Sequence, residues 1–129
     1  MEQIEFYKAK LNYETDSWDL SEALNSSENV VVIDARAIQA YEHEHIPSAL
    51  NIPHRDMSVE TTAHLDKSKV YVTYCDGIGC NASTKGALKL SELGFQVKEL
   101  LGGLDWWRRD GYETHGKNAT KGKAVLCGC

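Results

Sequence analysis

Two short β-branched runs constrain this chain most: "VVVID" at Val30–Asp34 and "KVYVTYC" at Lys69–Cys75. The first is a continuous apolar run, which is the pattern of a strand covered on both faces, and the second reads as another strand. Such strands need helices above and below, and the intervening sequence supplies them. "DSWDLSEALNSSEN" offers a capping residue and then Trp18, Leu20 and Leu24 at helical spacing. "AIQAYEHEH", from Ala37, carries Ile38 and Tyr41 one turn apart. "ASTKGALKLSELGF" places Ala82, Gly86, Leu90 and Leu93 on one stripe and stops at Gly94. "QVKELLGG" reads as a strand entering a glycine turn, and "LDWWRRDGY" as a helix bearing Trp106 and Trp107. A short strand is expected around Ala49–Ile52, between two prolines, and a short helix over Val59–Leu65. Strands alternating with helices predict an α/β fold with a mostly parallel sheet sandwiched between helices. Ligands of such sheets bind at the carboxyl ends of the strands, and Cys75 stands at one of them.

The chain has 129 residues, which suits a single core. Its net charge of −5 argues against nucleic acid or an acidic membrane surface as a partner. No apolar run approaches the roughly 18 residues of a membrane span. "MEQIEFYKAK" lacks the apolar centre of a signal peptide. The expectation is a cytoplasmic protein with neither nucleic-acid nor membrane partners. In that setting Cys75, Cys80, Cys127 and Cys129 are read as reactive thiols before structural disulfides.

"VTYCDGIGCNAS" carries the chemistry. A thiol at a strand end, followed by a loop with Gly77 and Gly79 and then by a helix start, meets unpaired N–H groups and the positive end of a helix dipole. The glycines are expected to let the loop curl into a nest of N–H groups. A thiolate there is stabilised, and its pKa is expected below the ~8.5 of a free cysteine. The same nest suits the outer sulfur of a persulfide.

Four ordered motifs resemble the rhodanese-like sulfurtransferases in their single-domain form, from about Trp18 to Tyr112. "VVIDAR" is similar to the family's strand ending in Asp-x-Arg. "YEHEHIPSALNIP" is similar to its His-Ile-Pro and Asn-Ile-Pro signature, "YCDGIGCNAS" to its active-site loop, and "LLGGLDWWRRDGY" to its closing Gly-Gly, Trp and Gly-aromatic motif. The resemblance implies a five-stranded parallel sheet between helices. It also implies a Cys75 that accepts sulfane sulfur as a persulfide and passes it to a thiol or other thiophilic acceptor. Residues 1–112 are then the rhodanese-like domain, and 113–129 a flexible tail ending in Cys-Gly-Cys. The loop Asp76, Gly77, Ile78, Gly79, Cys80 gives the six-residue span of the sulfurtransferases, Cys75 included. Related phosphatases have one residue more and a closing arginine, where this chain has Asn81. Glu44 and Ser48 stand where the family often has glycine, which predicts only an altered turn. Cys80 occupies a position where many members have arginine. The loop carries Asp76 and no cation, which disfavours dianionic thiosulfate and brings forward a persulfide or polysulfide donor.

Asp34, Arg36 and Arg55 are the candidate supporting or substrate-binding residues. A structural ion pair is the competing reading for the first two, and a solvated side chain for Arg55. Cys80, Cys127 and Cys129 are candidate resolving thiols. No cofactor and no metal are expected. The five histidines lack ligand spacing, and four thiols split between this loop and a Cys-x-Cys tail make a poor zinc site. Two rivals remain: a redox protein working through a Cys75–Cys80 disulfide, and a non-catalytic module that binds a partner.

Overall fold

The computed structural model describes residues 1–26, 29–123 and 125. In chain order the elements are α1 (Gln3–Tyr13), β1 (Glu14–Thr15), α2 (Ser17–Asn25), β2 (Val30–Asp34), α3 (Ile38–His43), β3 (Leu50–Asn51), a 3-10 turn (His54–Asp56), β4 (Val70–Tyr74), α4 (Ala82–Glu92), β5 (Gln96–Leu100) and α5 (Gly103–Arg109). The five strands form one parallel sheet in the order β1-β5-β4-β2-β3, with β4 at its centre.

The two β-branched runs do what their pattern requires. Along β2 and β4, Val32, Val72 and Tyr74 join one core layer with Leu20, Leu104 and Trp107. Ile33 and Tyr71 join the opposite layer with Leu90, Phe95 and Met57. Asp16 caps α2 by accepting the Asp19 amide at 2.8 Å. The Thr73 hydroxyl donates to the Ser83 carbonyl at 3.0 Å and fastens α4 to the central strand. The buried stripe of α4 is Ser83, Gly86 and Leu90, one position over from the expected start at Ala82. Gly94, at φ +93°, supplies the left-handed residue after that helix.

Residues 59–64, α1 and β1 (Glu14–Thr15) differ from expectation. Residues 59–64 form a run of turns, not a helix. The Ser58 hydroxyl accepts the Thr61 amide, while Thr61 and Thr62 donate their hydroxyls to the carbonyls of Asp56 and Ser58. Side-chain competition of this kind, with β-branched Val59, Thr61 and Thr62, works against regular helix. At the other end of the chain, α1 is a helix that the apolar spacing does not announce. None of its residues is buried.

Residues 113–123, expected to leave the domain as a tail, are bonded to it. His45 and His115 exchange backbone hydrogen bonds at 2.9 Å, and the amides of Lys117 and Asn118 donate to the carbonyls of Glu42 and His43. The centre of this attachment is Glu44, only 1% exposed. Its carboxylate accepts the Thr114 hydroxyl at 2.5 Å and the Thr120 hydroxyl at 2.9 Å, and it pairs with the Arg108 guanidinium. Glu44 therefore does far more than alter a turn. Ser48, the other departure from glycine, keeps a left-handed backbone at φ +68°. Cys127 and Cys129 lie outside the described residues.

Burial alone raises a carboxyl's pKa, but the two hydroxyls and Arg108 outweigh it and hold Glu44 below its ordinary value of 4.5. Its contribution is thus complete above the unfolded pKa and lost as pH falls through the folded one. We expect Glu44→Gln to lose about 1–3 kcal/mol at neutral pH. The variant should also lose less stability than the wild type on acidification below the carboxylate range. Urea unfolding at about pH 7 and about pH 3 checks both.

Candidate active site

The loop Cys75–Cys80 lies between the last residue of β4 and the start of α4, at the carboxyl end of the sheet's central strand. Its two cysteines are joined: a Cys75–Cys80 disulfide closes it, with Cα atoms 6.3 Å apart. Cys75 is 1% exposed, and Cys80 is half-buried.

The loop's shape comes less from its own glycines than from α5. Neither Gly77 nor Gly79 has positive φ. Gly77 instead faces α5, where a Cβ would come within 3.3 Å of the Asp105 Cβ, and Gly79 faces open space. The amides of Leu104 and Asp105, in the first turn of α5, donate to the carbonyls of Cys75 at 2.9 Å and Asp76 at 2.8 Å. The orphan N–H groups of a helix start are thereby spent on the loop backbone. Gly103 makes this approach possible: at φ +58°, a Cβ there would stand 2.4 Å from the Cys75 carbonyl oxygen. Sequence reasoning read Gly102-Gly103 as a turn and missed this clamp. Two adjacent glycines opening a helix opposite a strand end were the available signal. At the other end of the loop, Asn81 begins α4 without a side-chain cap.

Asp34 and Arg36 form the electrostatic floor. Asp34 is fully buried and Arg36 is 8% exposed. The guanidinium donates to both Asp34 oxygens at 3.0 and 2.7 Å, to the Glu44 carbonyl at 2.6 Å and to Asp76 at 2.8 Å. The Tyr74 hydroxyl also donates to Asp34 at 2.7 Å and accepts the Ile46 amide at 3.1 Å. Burial opposes the charge of Arg36, but the bonds and charge of Asp34, with Asp76, more than reverse that and raise its pKa further. Burial, then the neighbouring Asp34 carboxylate, push the Tyr74 phenol far up. The loop's Asp76 is accordingly a paired charge. Arg36 is the cation that reading the loop in isolation does not find. Arg55 lies exposed in the 3-10 turn and lines neither cavity at the loop.

Two clefts flank the loop. One, of about 860 Å³, runs between α3 and α5 and is bordered by Arg36, Asp76, Cys80, Leu104, Trp106 and Arg108. The other, of about 640 Å³, lies toward α4 and β5 and is bordered by Cys80, Asn81, Thr84, Glu99 and Leu101. A larger cavity of about 970 Å³, between α1 and α2, holds no cysteine. Among the described residues no cluster of His, Cys, Asp or Glu suits a metal ion, and no helix is long and apolar enough to cross a membrane.

Removing Asp34 strands a buried cation, whereas Asp76 has a 71% exposed side chain. We expect Asp34→Ala to cost about 3–5 kcal/mol and Asp76→Ala less than about 1 kcal/mol, both read from urea unfolding.

Comparison with known proteins agrees with this geometry. The profile of the Rhodanese-like domain matches residues 17–110. The crystal structure of the BH2092 protein from Bacillus halodurans is similar at 41% identity and a TM-score of 0.87, over 97% of this chain and 92% of that one. Thiosulfate sulfurtransferase GlpE of Coxiella burnetii is 33% identical over 95 residues, 72% of this chain and 81% of that protein. The HTH-type transcriptional regulator Rv0324 of Mycobacterium tuberculosis is 32% identical over 82 residues, 64% of this chain. The match spans only 36% of the regulator's length, so the likeness there is to one part of a longer protein. With a parallel five-stranded sheet, a cysteine loop on its central strand and these relatives in agreement, the chain belongs to the rhodanese-like domain family.

Proposed function

We propose that this protein carries sulfane sulfur as a persulfide on Cys75 and passes it to a thiol. The observation that carries the reading is the setting of Cys75. It follows the central strand, and its own carbonyl and that of Asp76 are turned to α5. It precedes a helix whose first N–H groups have no side-chain cap. Those N–H groups favour a sulfur anion, which is the state in which the residue both attacks and carries.

In the reduced protein the Cys75 thiolate attacks the outer sulfur of a donor R–S–SH. The donor's S–S bond breaks, RS⁻ leaves, and Cys75–S–SH forms. An acceptor thiolate then attacks the terminal sulfur, and Cys75 leaves as the thiolate. Sulfur moves with no net oxidation. The donor is a persulfide, a polysulfide or thiosulfate. The pairing of Asp76 with Arg36 weakens the charge argument against thiosulfate, although Asp76 still occupies the donor that Arg36 would offer an anion.

The loop disulfide supports a second role for Cys80. The Cα separation of 6.3 Å lies inside the range of about 4.4–6.8 Å that a disulfide tolerates. Attack by the Cys80 thiolate on the inner sulfur of the Cys75 persulfide expels sulfide and closes the loop. The same closure diverts an oxidised Cys75 from irreversible sulfinic acid.

Intact mass after reduction and incubation with each donor tests the proposal. Wild type should gain one sulfur that cyanide removes as thiocyanate, and Cys75→Ser should gain none. Equal loading of both proteins sinks the reading. Cys80→Ser should hold the persulfide longer. Asp76→Asn frees one arm of Arg36 and should lower KM for thiosulfate roughly severalfold, with little change for a monoanionic persulfide. Steady-state kinetics with the two donors reads that difference.

A further inference from the structure

The two cysteines of the loop disulfide are not equally exposed. Cys75 is 1% exposed and borders neither flanking cleft. Cys80 is half-buried and borders both. Thiol–disulfide exchange requires the incoming thiolate to approach the attacked sulfur along the S–S axis, from behind, so access selects the sulfur. The Cys75 backbone is held against the first turn of α5, where its carbonyl accepts the Leu104 amide. Around Cys80 lie open clefts with exposed apolar side chains at their rims: Ile78 at 79%, Leu101 at 44% and Trp106 at 42%.

We infer that this protein has a thiol–disulfide exchange activity whose entry point is Cys80, with Cys75 as the leaving group. This goes beyond sulfur transfer and does not depend on it. An external thiolate RS⁻ attacks the Cys80 sulfur. The bond to Cys75 breaks, Cys75 departs with the electron pair as a thiolate, and an R–S–S–Cys80 mixed disulfide forms. A second thiolate, R′S⁻, attacks the R-side sulfur of that mixed disulfide and releases the Cys80 thiolate and R–S–S–R′. Two thiols are oxidised and one disulfide is reduced. The first step already frees Cys75, while Cys80 holds the reductant in the cleft. The partner is a thiol. Its sources, a small thiol or a protein dithiol that covers the apolar rim, share this regiochemistry.

The test uses the full-length oxidised protein. N-ethylmaleimide first caps every thiol outside the loop disulfide. Glutathione is then added with iodoacetamide present to trap whichever cysteine is released. Cleavage before Asp76 places Cys75 and Cys80 on separate peptides, so mass spectrometry assigns each adduct. Glutathione should reside on Cys80 and the acetamide group on Cys75 in roughly tenfold excess over the reverse. The reverse assignment, or an even split, overturns the inference. So does an oxidised protein in which both loop cysteines take up N-ethylmaleimide, since there is then no bond to open. Replacing glutathione by a reduced protein dithiol, with wild type and Ile78→Asp compared, separates the two sources. A slower reaction of Ile78→Asp with the protein reductant only identifies the rim as its contact, and slowing with neither reductant identifies the small thiol. Because no sulfur donor is present, the result stands or falls apart from persulfide loading.

Discussion

The buried pair of Asp34 and Arg36 is the interaction on which the rest of the site depends. Asp34 ends β2 beside the central strand, fully out of water, and its charge is tolerable only because Arg36 and Tyr74 saturate it. Arg36 in turn reaches the Glu44 carbonyl and Asp76. One guanidinium thus ties together the end of β2, the segment after α3 and the cysteine loop. Tyr74 carries the same network to the Ile46 amide. Its neighbour Cys75 is placed by a scaffold of charged hydrogen bonds as much as by apolar packing.

That network divides the electrostatics of the loop from its chemistry. Asp76 looks, in the linear sequence, like an unbalanced negative charge next to Cys75. Folded, it faces a cation from forty residues earlier in the chain. The carbonyls of Cys75 and Asp76 are drawn to α5. Cys75 therefore sits in an environment that is charge-compensated on one side and helix-capping on the other.

How far the sequence discloses this depends on whether a feature is local. β2 is legible because burial on both faces writes an unbroken apolar run, and its bounds match that run. The α2 cap is legible because Asp16 acts three residues away. The placement of the cysteine loop is legible because strand, loop and helix are contiguous, whereas the shape its glycines suggested is set by α5. Glu44 is opaque: its partners, Arg108, Thr114 and Thr120, are more than sixty residues distant, and a charged residue in a polar stretch reads as surface. The α5 clamp is opaque for the same reason. Helix α1 fails differently, because it buries no residue and so leaves no periodic trace. Residues 59–64 show the opposite error, in which spacing suggested a helix and hydroxyl side chains dissolved it into turns.

The contact between Gly103 and the Cys75 carbonyl also fixes where this loop can change length. The first half of the loop is bonded residue by residue to α5, with no space for another Cβ at Gly103 and little at Gly77. Gly79 faces open space. An inserted residue can be accommodated only at the tip, around Ile78 and Gly79, away from the strand end that carries Cys75. Divergence toward larger anions would thus remodel the mouth of the site and leave the position of its sulfur untouched.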